Sequence, residues 1–204
     1  DELVAFAIKH DLWIITDEVY DRIVYDAPHV SFIGAGYDKV IMVQSFSKTF
    51  AMTGWMIGYL LSPDKEAMSQ LIKMQYYVTA CSNDAMQHAV LEALEKAPEY
   101  PESMCEEFKE RRDLICQRLN SIPGVSCHVP TGAFYVFPKV DVPGMSSEEI
   151  AMALLEGGVL CSPGTAFGSA GEGHLRFAYT ISREDISKGM DRVEKILKDL
   201  RRNL

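Results

Sequence analysis

Residues 40–61 read VIMVQSFSKTFAMTGWMIGYLL, and this stretch decides the class of fold. A short apolar run at 40–43 ends in the polar segment at 44–48, and a second apolar run occupies 57–61. Runs of this length without polar alternation are typical of strands in a parallel sheet whose two faces are covered by helices. The stretch therefore predicts two strands of an α/β sheet, separated by a polar turn that contains Lys48.

A similar apolar run lies upstream, where LWIIT at 12–16 stops at the acidic pair Asp17-Glu18. We expect this run also to form a strand that is buried on both faces. Polar residues therefore follow two predicted strands at the point where each strand ends. Because ligands of α/β sheets bind beyond the carboxyl ends of the strands, a ligand site is expected there.

The remaining sequence predicts further helices and, in its second half, several short strands. Helical periodicity is present at 3–10, 64–78, 83–96, 102–120, 147–157 and 184–200, and strand-like runs occur at 125–128, 133–137, 159–161 and 175–179. The long charged helix at 102–120 is the expected connection between two domains. We predict part of a large α/β domain with a mainly parallel sheet and helices over residues 1–100, and a small α+β domain over residues 101–204.

The composition of the chain argues against several classes of binding partner and site. The 204 residues include 20 basic and 29 acidic side chains, giving a net charge of −9, which argues against binding to nucleic acid or to an acidic membrane surface. No apolar run approaches the length of a membrane span. The five cysteines form no CxxC pair, which indicates reduced thiols in a cytoplasmic protein. The five histidines lack metal-binding spacing, so no metal site is expected.

Lys48 is the first candidate for chemistry. A lysine at the mouth of a sheet reacts with an aldehyde as the free amine, which a neighbouring cation or a dry pocket supplies by lowering the pKa. The alternative for Lys48 is a surface lysine in a turn, and an isolated SxSK motif favours that alternative.

Three further side chains each have both a chemical and a structural explanation. The carboxylate of Asp17 can keep a ring nitrogen protonated, with the phenol of Tyr20 beside it, or it can cap the following turn while Tyr20 packs. Arg176, in the strand-like segment HLRFAY at 174–179, points away from its apolar neighbours and can bind a carboxylate in a forked geometry. The alternative explanation is that Arg176 lies on an edge strand and is exposed to water.

Four segments together resemble a known family. They are TDEVYDRIVYD at 16–26, SFSKTFAMTGWMIGY at 45–59, PTGAFYVFP at 130–138, and PGTAFG followed by HLRFAYTIS at 163–182. In order and approximate spacing they resemble the C-terminal half of the class I/II aminotransferases, the aspartate aminotransferase-like enzymes of pyridoxal-phosphate (PLP) fold type I. The resemblance covers essentially the whole chain and is most specific in the lysine segment.

The resemblance implies a set of cofactor-binding residues. In that family, the residue matching Asp17 pairs with the pyridine nitrogen of PLP, and the residue matching Tyr20 bonds the ring oxygen. The residue matching Ser45 contacts the phosphate, with that matching Ser47 as a second hydroxyl. The residue matching Lys48 forms a Schiff base with the cofactor and later moves a proton.

The implied reaction is amino-group transfer between an amino acid and a 2-oxo acid by a ping-pong route, with Arg176 holding the α-carboxylate of the substrate. Two alternatives remain open. Another fold-type I reaction, such as that of a lyase, can use the same lysine. The second alternative is that the chain is a non-catalytic aminotransferase-like fragment, which serves as a scaffold or folding partner.

Two features depart from the family pattern. Position 56, eight residues after Lys48, is methionine where the family has an arginine that binds the phosphate, and losing that charge should weaken cofactor binding by about tenfold or more. The N-terminal half of the pattern is not in the sequence. We therefore expect open sheet edges and bare apolar surface, little activity from the 204-residue chain alone, and a homodimer or a complementing N-terminal segment as partner.

Overall fold

The computed structural model describes residues 1–202 and divides the chain into two compact units. The first unit is Asp1–Ser103, and the second begins at Met104. The division falls within a single helix, Tyr100–Asn120, which is the long helix predicted to connect two domains.

The first unit contains five helices or helical beginnings and three strands. In chain order these are α1 (Glu2–His10), β1 (Ile14–Asp17), β2 (Val40–Ser45), the single-turn helix α2 (Phe46–Thr49), β3 (Gly58–Leu61), α3 (Lys65–Thr79), α4 (Asp84–Lys96) and the start of α5 (Tyr100–Asn120). Asn83 caps α4, because its side chain accepts a hydrogen bond from the backbone N–H of Met86 at 3.3 Å.

The three strands form one sheet in the order β1-β2-β3. β1 and β2 run parallel, with Ile14 opposite Val40 and Asp17 opposite Val43. β3 runs antiparallel to β2, and Gly58 lies opposite Ser45. The parallel arrangement is therefore confirmed for β1 and β2. It is wrong for the run at 57–61, because β3 returns antiparallel to β2.

Burial of the strands differs from the prediction that both faces are covered. Val40 and Met42 on one face of β2 are buried, whereas Ile15 on the other face of β1 is 72 % exposed and β3 is exposed along its whole length. The pleat places alternate side chains on opposite faces, and the described elements of this unit bury mainly the face that carries Val40 and Met42.

Helix α3 adds to the exposed apolar surface of the first unit. None of its residues is buried, and Ile72, Tyr76 and Tyr77 are all largely exposed. The expectation of bare apolar surface is thus confirmed, and a patch of this kind is typical of a surface that binds another polypeptide.

The second unit is an α+β arrangement. After the main part of α5 it contains β4 (Val125–Ser126), β5 (Tyr135–Val136), β6 (Lys139–Val140), α6 (Ser147–Glu156), β7 (Ser162–Pro163), β8 (Leu175–Ala178) and α7 (Arg183–Arg202). β4 pairs with β6, and β5, β8 and β7 form an antiparallel sheet in that order. The strand predicted at 159–161 is wrong by a few residues, since pairing begins at Ser162.

The core of the second unit lies between its helices and the antiparallel sheet. Its largest fully buried side chains include Leu119 of α5, Leu154 of α6 and Leu197 of α7. Helix α6 begins at a capping box, in which Ser146 and Glu149 satisfy each other's backbone N–H groups. Among residues 1–202, no helix is both long and apolar enough to cross a membrane.

Candidate active site

The strand directions gather several of the predicted site residues at one edge of the sheet. β1 and β2 are parallel, so their carboxyl ends meet at the same edge, and Asp17 lies there opposite Val43. Ser45 ends β2 at this edge and leads directly into the helical turn α2. β3 is antiparallel, so its first residue, Gly58, lies at the same edge opposite Ser45.

Glycine at position 58 is required by the close approach of β3 to β2. A Cβ atom there would overlap the backbone carbonyl oxygen of Gln44, so no other residue fits without moving the strand. Met56, two residues before Gly58, has a left-handed backbone (φ 51°) and a side chain that is 85 % exposed. The position at which the family pattern has a cation therefore presents an uncharged and solvated side chain.

Ser45 and Ser47 organise the turn that carries Lys48. The hydroxyl of Ser45 accepts a hydrogen bond from the backbone N–H of Ser47 at 3.1 Å and donates one to the carbonyl of Ile57 at 3.3 Å. The hydroxyl of Thr53 donates to the carbonyl of Ser47 at 3.2 Å. Lys48 is half-buried within this single helical turn, which fixes its backbone at the carboxyl edge of the sheet.

Asp17 caps the following turn with one carboxylate oxygen, and its other oxygen remains available to a ligand. One carboxylate oxygen accepts a hydrogen bond from the backbone N–H of Val19 at 3.2 Å, as expected for a turn cap. The side chain is exposed, and within residues 1–202 its other oxygen has no hydrogen-bond partner. Tyr20 is half-buried in the turn that follows.

Glu18, next to Asp17, has a different environment that the sequence did not reveal. Its side chain is 5 % exposed; one carboxylate oxygen lies 2.7 Å from Nε2 of His29, and the other accepts the backbone N–H of Phe32 at 3.2 Å. Burial by itself raises the pKa of Glu18, but the hydrogen bonds from His29, Ser31 and Phe32 outweigh it, so the pKa lies below its ordinary value. Glu18 thus holds the segment around His29 against the end of β1.

Gln44 is a second organising residue without an individual role in the sequence prediction. Its side-chain amide donates to the carbonyl of Glu18 at 2.9 Å, and its side-chain oxygen accepts the backbone N–H of Ser45 at 2.8 Å. The buried amide therefore ties the end of β1 to the end of β2. The only signal in the sequence was a polar residue closing an apolar run.

A cavity of about 270 Å³ lies beside this edge of the first unit and is lined by Ser45, Thr49, Tyr59, Asp21 and Arg22, among others. The hydroxyl of Thr49 is 3.5 Å from a carboxylate oxygen of Asp21. Burial, with a smaller contribution from Asp21, raises the pKa of Tyr59, so its phenol stays protonated and able to donate a hydrogen bond at neutral pH.

Arg176 lies in the second unit, on β8. Its neighbours Leu175 and Phe177 are buried whereas Arg176 is half-buried, which confirms that it points to the opposite face of the strand. The guanidinium carbon lies 4.7 Å from the ring centre of Tyr135 and 4.4 Å from that of Phe167. Within the described residues, no group accepts a hydrogen bond from this guanidinium.

The sequence model of the family described as aminotransferase class I and II matches residues 1–193 of the chain. The chain belongs to this family. The aromatic-amino-acid aminotransferase 2 of Thermococcus litoralis is 38 % identical over 205 residues, which cover 98 % of this chain and 52 % of that relative. The aspartate aminotransferase of Pyrococcus abyssi is also 38 % identical, with the same coverage of both chains.

Solved structures agree with the assignment to the class I and II aminotransferases. An aromatic aminotransferase from Pyrococcus horikoshii matches with a TM-score of 0.90 at 37 % identity, covering 97 % of this chain and 54 % of that one. The fold is therefore that of the aspartate aminotransferase-like enzymes, as predicted. The chain spans about half the length of the curated relatives it matches.

Proposed function

We propose that this chain takes part in a PLP-dependent aminotransferase reaction, in which an amino group passes between an amino acid and a 2-oxo acid. The observation that carries the proposal is the position of Lys48 at the same sheet edge as Asp17, in a chain of this family. That edge is where α/β sheets bind their ligands.

The side chains at the edge fit the chemical groups of PLP in part. Lys48 offers an amine for the aldehyde, Ser45 and Ser47 offer hydroxyls for the phosphate, and Asp17 offers a carboxylate with one unengaged oxygen for the ring nitrogen. Tyr20 is proposed to bond the ring oxygen. When bound, PLP supplies an aldehyde and an electron sink that stabilises negative charge on the substrate carbon.

Lys48 is proposed to act both as the nucleophile and as the carrier of the proton that moves during amino-group transfer. Its Nζ atom, released as a free amine, accepts and returns that proton. The fixed helical turn keeps Nζ within a limited volume at the edge, so less orientation is lost on reaction. Asp17, as a carboxylate, favours the protonated ring nitrogen.

Arg176 is proposed to bind the α-carboxylate of both substrates. Its guanidinium is half-buried and has no acceptor within the described residues, so its N–H groups are available to a ligand. A carboxylate is the anion that a guanidinium binds with two parallel hydrogen bonds. One carboxylate site suits both half-reactions, because amino acid and 2-oxo acid share this group.

The proposal includes a second polypeptide that covers the exposed apolar surface of this chain. The exposed apolar side chains of α3 and β3 support a homodimer or a complementing N-terminal segment as partner. We expect little transaminase activity from the 204-residue chain by itself. We propose a cytoplasmic location, on the ground that the five cysteines form no CxxC pair.

A non-catalytic role is the competing candidate, and Met56 favours it. An uncharged side chain that is 85 % exposed contributes nothing to phosphate binding. In this alternative the chain serves as a folding partner or scaffold, and Lys48 performs no chemistry.

Incubation of the chain with PLP, borohydride reduction and peptide mapping test the proposal. We expect a pyridoxyl group on Lys48, its loss in Lys48→Ala, and its retention in the control Lys73→Ala on α3. Modification spread over several lysines, or none on Lys48, would support the non-catalytic role. With the complementing polypeptide present, product formation that requires a 2-oxo acid distinguishes a transaminase from a lyase, which releases ammonia.

A further inference from the structure

The guanidinium of Arg176 is held by aromatic rings and by no hydrogen bond within the described residues. Its carbon lies over the ring of Tyr135 at 4.7 Å and over that of Phe167 at 4.4 Å from the ring centres. A cation over an aromatic face is attracted by the electrons of the ring, and distances below about 6 Å make this attraction effective. Both rings therefore orient the cation without occupying its N–H donors.

We propose that Tyr135 and Phe167 are positioning residues that hold Arg176 in the orientation that binds a carboxylate. The inference rests on the proposed function, because the ligand of Arg176 is the substrate carboxylate. It adds two residues whose positioning roles come from the structure. They act through Arg176 and touch none of the reacting atoms.

The register of the sheet explains the position of Tyr135. On the antiparallel strands β5 and β8, Tyr135 lies opposite Ala178, which makes Arg176 its diagonal neighbour on the same face. Long side chains reach each other across such a diagonal. The next residue, Val136, is buried on the other face, so Tyr135 cannot turn away from Arg176 without breaking the alternation of the strand.

A tight backbone turn explains the position of Phe167. Residues Gly164–Phe167 form one turn of 3-10 helix directly after β7, and Gly164 donates a backbone hydrogen bond to His174 at 2.8 Å. Gly164 and Gly171 approach so closely that a Cβ atom on either would overlap the backbone of the other. The turn is therefore fixed against His174, which directly precedes β8 and lies two residues before Arg176.

A second pair of rings supports Phe167. Phe137 meets the ring of Phe167 edge to face, with centres 6.0 Å apart and planes at 83°. His174 stacks on Phe137 at 5.1 Å with planes at 9°. Edge-to-face and offset-stacked arrangements are the favourable geometries for aromatic pairs. The array runs from His174 through Phe137 and Phe167 to Arg176.

Core packing does not account for this array. Phe167 is 53 % exposed and Phe137 is 42 % exposed, whereas the core side chains of the same unit, such as Leu175, are almost inaccessible. Because so much of the Phe167 side chain is exposed, the hydrophobic effect contributes little to holding it in its present position. Its contact with a cation that lacks acceptors is the interaction that explains its location.

The consequence for binding is an arginine that is oriented before the ligand arrives. A free arginine side chain loses conformational entropy when it is fixed by a carboxylate, and the aromatic contacts remove part of that loss in advance. Each cation–ring contact contributes about 0.5–2 kcal/mol, which corresponds to a change of roughly two- to thirtyfold in affinity.

The test is an NMR titration of the labelled 204-residue chain with maleate, an unreactive dicarboxylate, at constant ionic strength. The Nε–Hε signal of Arg176 reports the orientation of the guanidinium, and the backbone amide signals of β8, which every variant retains, report binding. The variants are Phe167→Leu and Tyr135→Leu, which remove a ring, and Phe167→Tyr and Tyr135→Phe, which keep it. Arg176→Lys tests the carboxylate site itself, and Leu160→Ala, at an exposed position of the same unit, is the neutral control.

We expect Phe167→Leu and Tyr135→Leu to weaken maleate binding by roughly two- to thirtyfold, while the ring-retaining variants stay within about twofold of the parent. The far-ultraviolet circular dichroism of every variant should match that of the parent at the titration temperature, which separates positioning from folding. If Arg176→Lys impairs binding and the leucine variants do not, the inference is wrong and the proposed function stands. If the parent does not bind maleate, or Arg176→Lys binds as well as the parent, the carboxylate role of Arg176 is wrong and the inference falls with it.

Discussion

Gly58 on β3 lies directly opposite Ser45 on β2, and its backbone is packed against the carbonyl of Gln44 at the edge that carries Lys48. This pairing joins the start of β3 to the end of β2. It therefore determines where the turn that carries Lys48 begins and where Met56, two residues before Gly58, lies. The edge depends on a backbone contact that tolerates no side chain at position 58.

Gly58→Ala should destabilise the first unit. The added methyl group would overlap the Gln44 carbonyl oxygen, and relief requires movement of a paired strand, so we expect a loss of about 1–3 kcal/mol in the free energy of unfolding. Urea unfolding measures the loss. Gly54→Ala is a matched control, because a Cβ atom at position 54 meets nothing within 4 Å. Equal losses in both variants would contradict the packing argument.

Met56→Arg should strengthen PLP binding by about tenfold or more. Arginine at this exposed position restores a charge-assisted donor for a phosphate at the sheet edge, and such a bond contributes about 1.5–3 kcal/mol. Fluorescence-detected PLP titration gives the dissociation constants. Met56→Leu controls for the loss of methionine, and Met74→Arg on α3 controls for added charge. Equal affinities of parent and Met56→Arg would show that Met56 does not limit the site.

Glu18→Gln should destabilise the first unit at neutral pH by about 1–3 kcal/mol, because the buried acceptor of His29 and Phe32 loses its charge. The folded-state pKa of Glu18 lies below its unfolded value, so its contribution to stability is fully present above the unfolded pKa. That contribution is lost as the pH falls through the folded pKa.

The same variant predicts a change in the pH profile. The difference in unfolding free energy between parent and Glu18→Gln should be largest near neutral pH and should shrink below about pH 4, where carboxylates become protonated. Urea unfolding at a series of pH values measures this difference. Glu66→Gln, at an exposed position of α3, is the control, and a difference that is independent of pH would exclude the buried carboxylate as its source.

Cys116 and Cys127 form a buried pair in the second unit, with their sulfur atoms 3.9 Å apart. The hydrogen bond from the Cys127 thiol lowers the pKa of Cys116, against the effect of burial and with help from the guanidinium of Arg112. Cys127→Ala should therefore raise the pKa of the Cys116 thiol. The carbon-13 shift of its Cβ atom, followed against pH, measures this change. Cys161→Ala should leave that titration unchanged, and an unaltered titration in Cys127→Ala would refute the pairing.

The sequence located the strand ends and helices of the first unit because the signals were local. Apolar runs that end in polar residues marked the carboxyl ends of β1 and β2, and periodicity marked the helices to within a few residues. The caps at Asn83 and Ser146 are local in the same sense, because each side chain bonds a backbone N–H only three residues away. The strand predicted at 159–161 was misplaced because a strand is defined by its pairing partner, here β8, rather than by its own residues.

What the sequence alone determined is the class of fold, the lysine turn at the end of β2, and the outward direction of Arg176 on its strand. Each follows from the period of the backbone and the order of residues within a short segment. The tertiary structure alone decided that Asp17 is exposed while Glu18 is buried, that position 58 admits only glycine, and that Arg176 lies over Tyr135 and Phe167. Those outcomes depend on which distant segments of the chain contact each other. Such contacts are set by strand register and packing and cannot be derived from local residue preference.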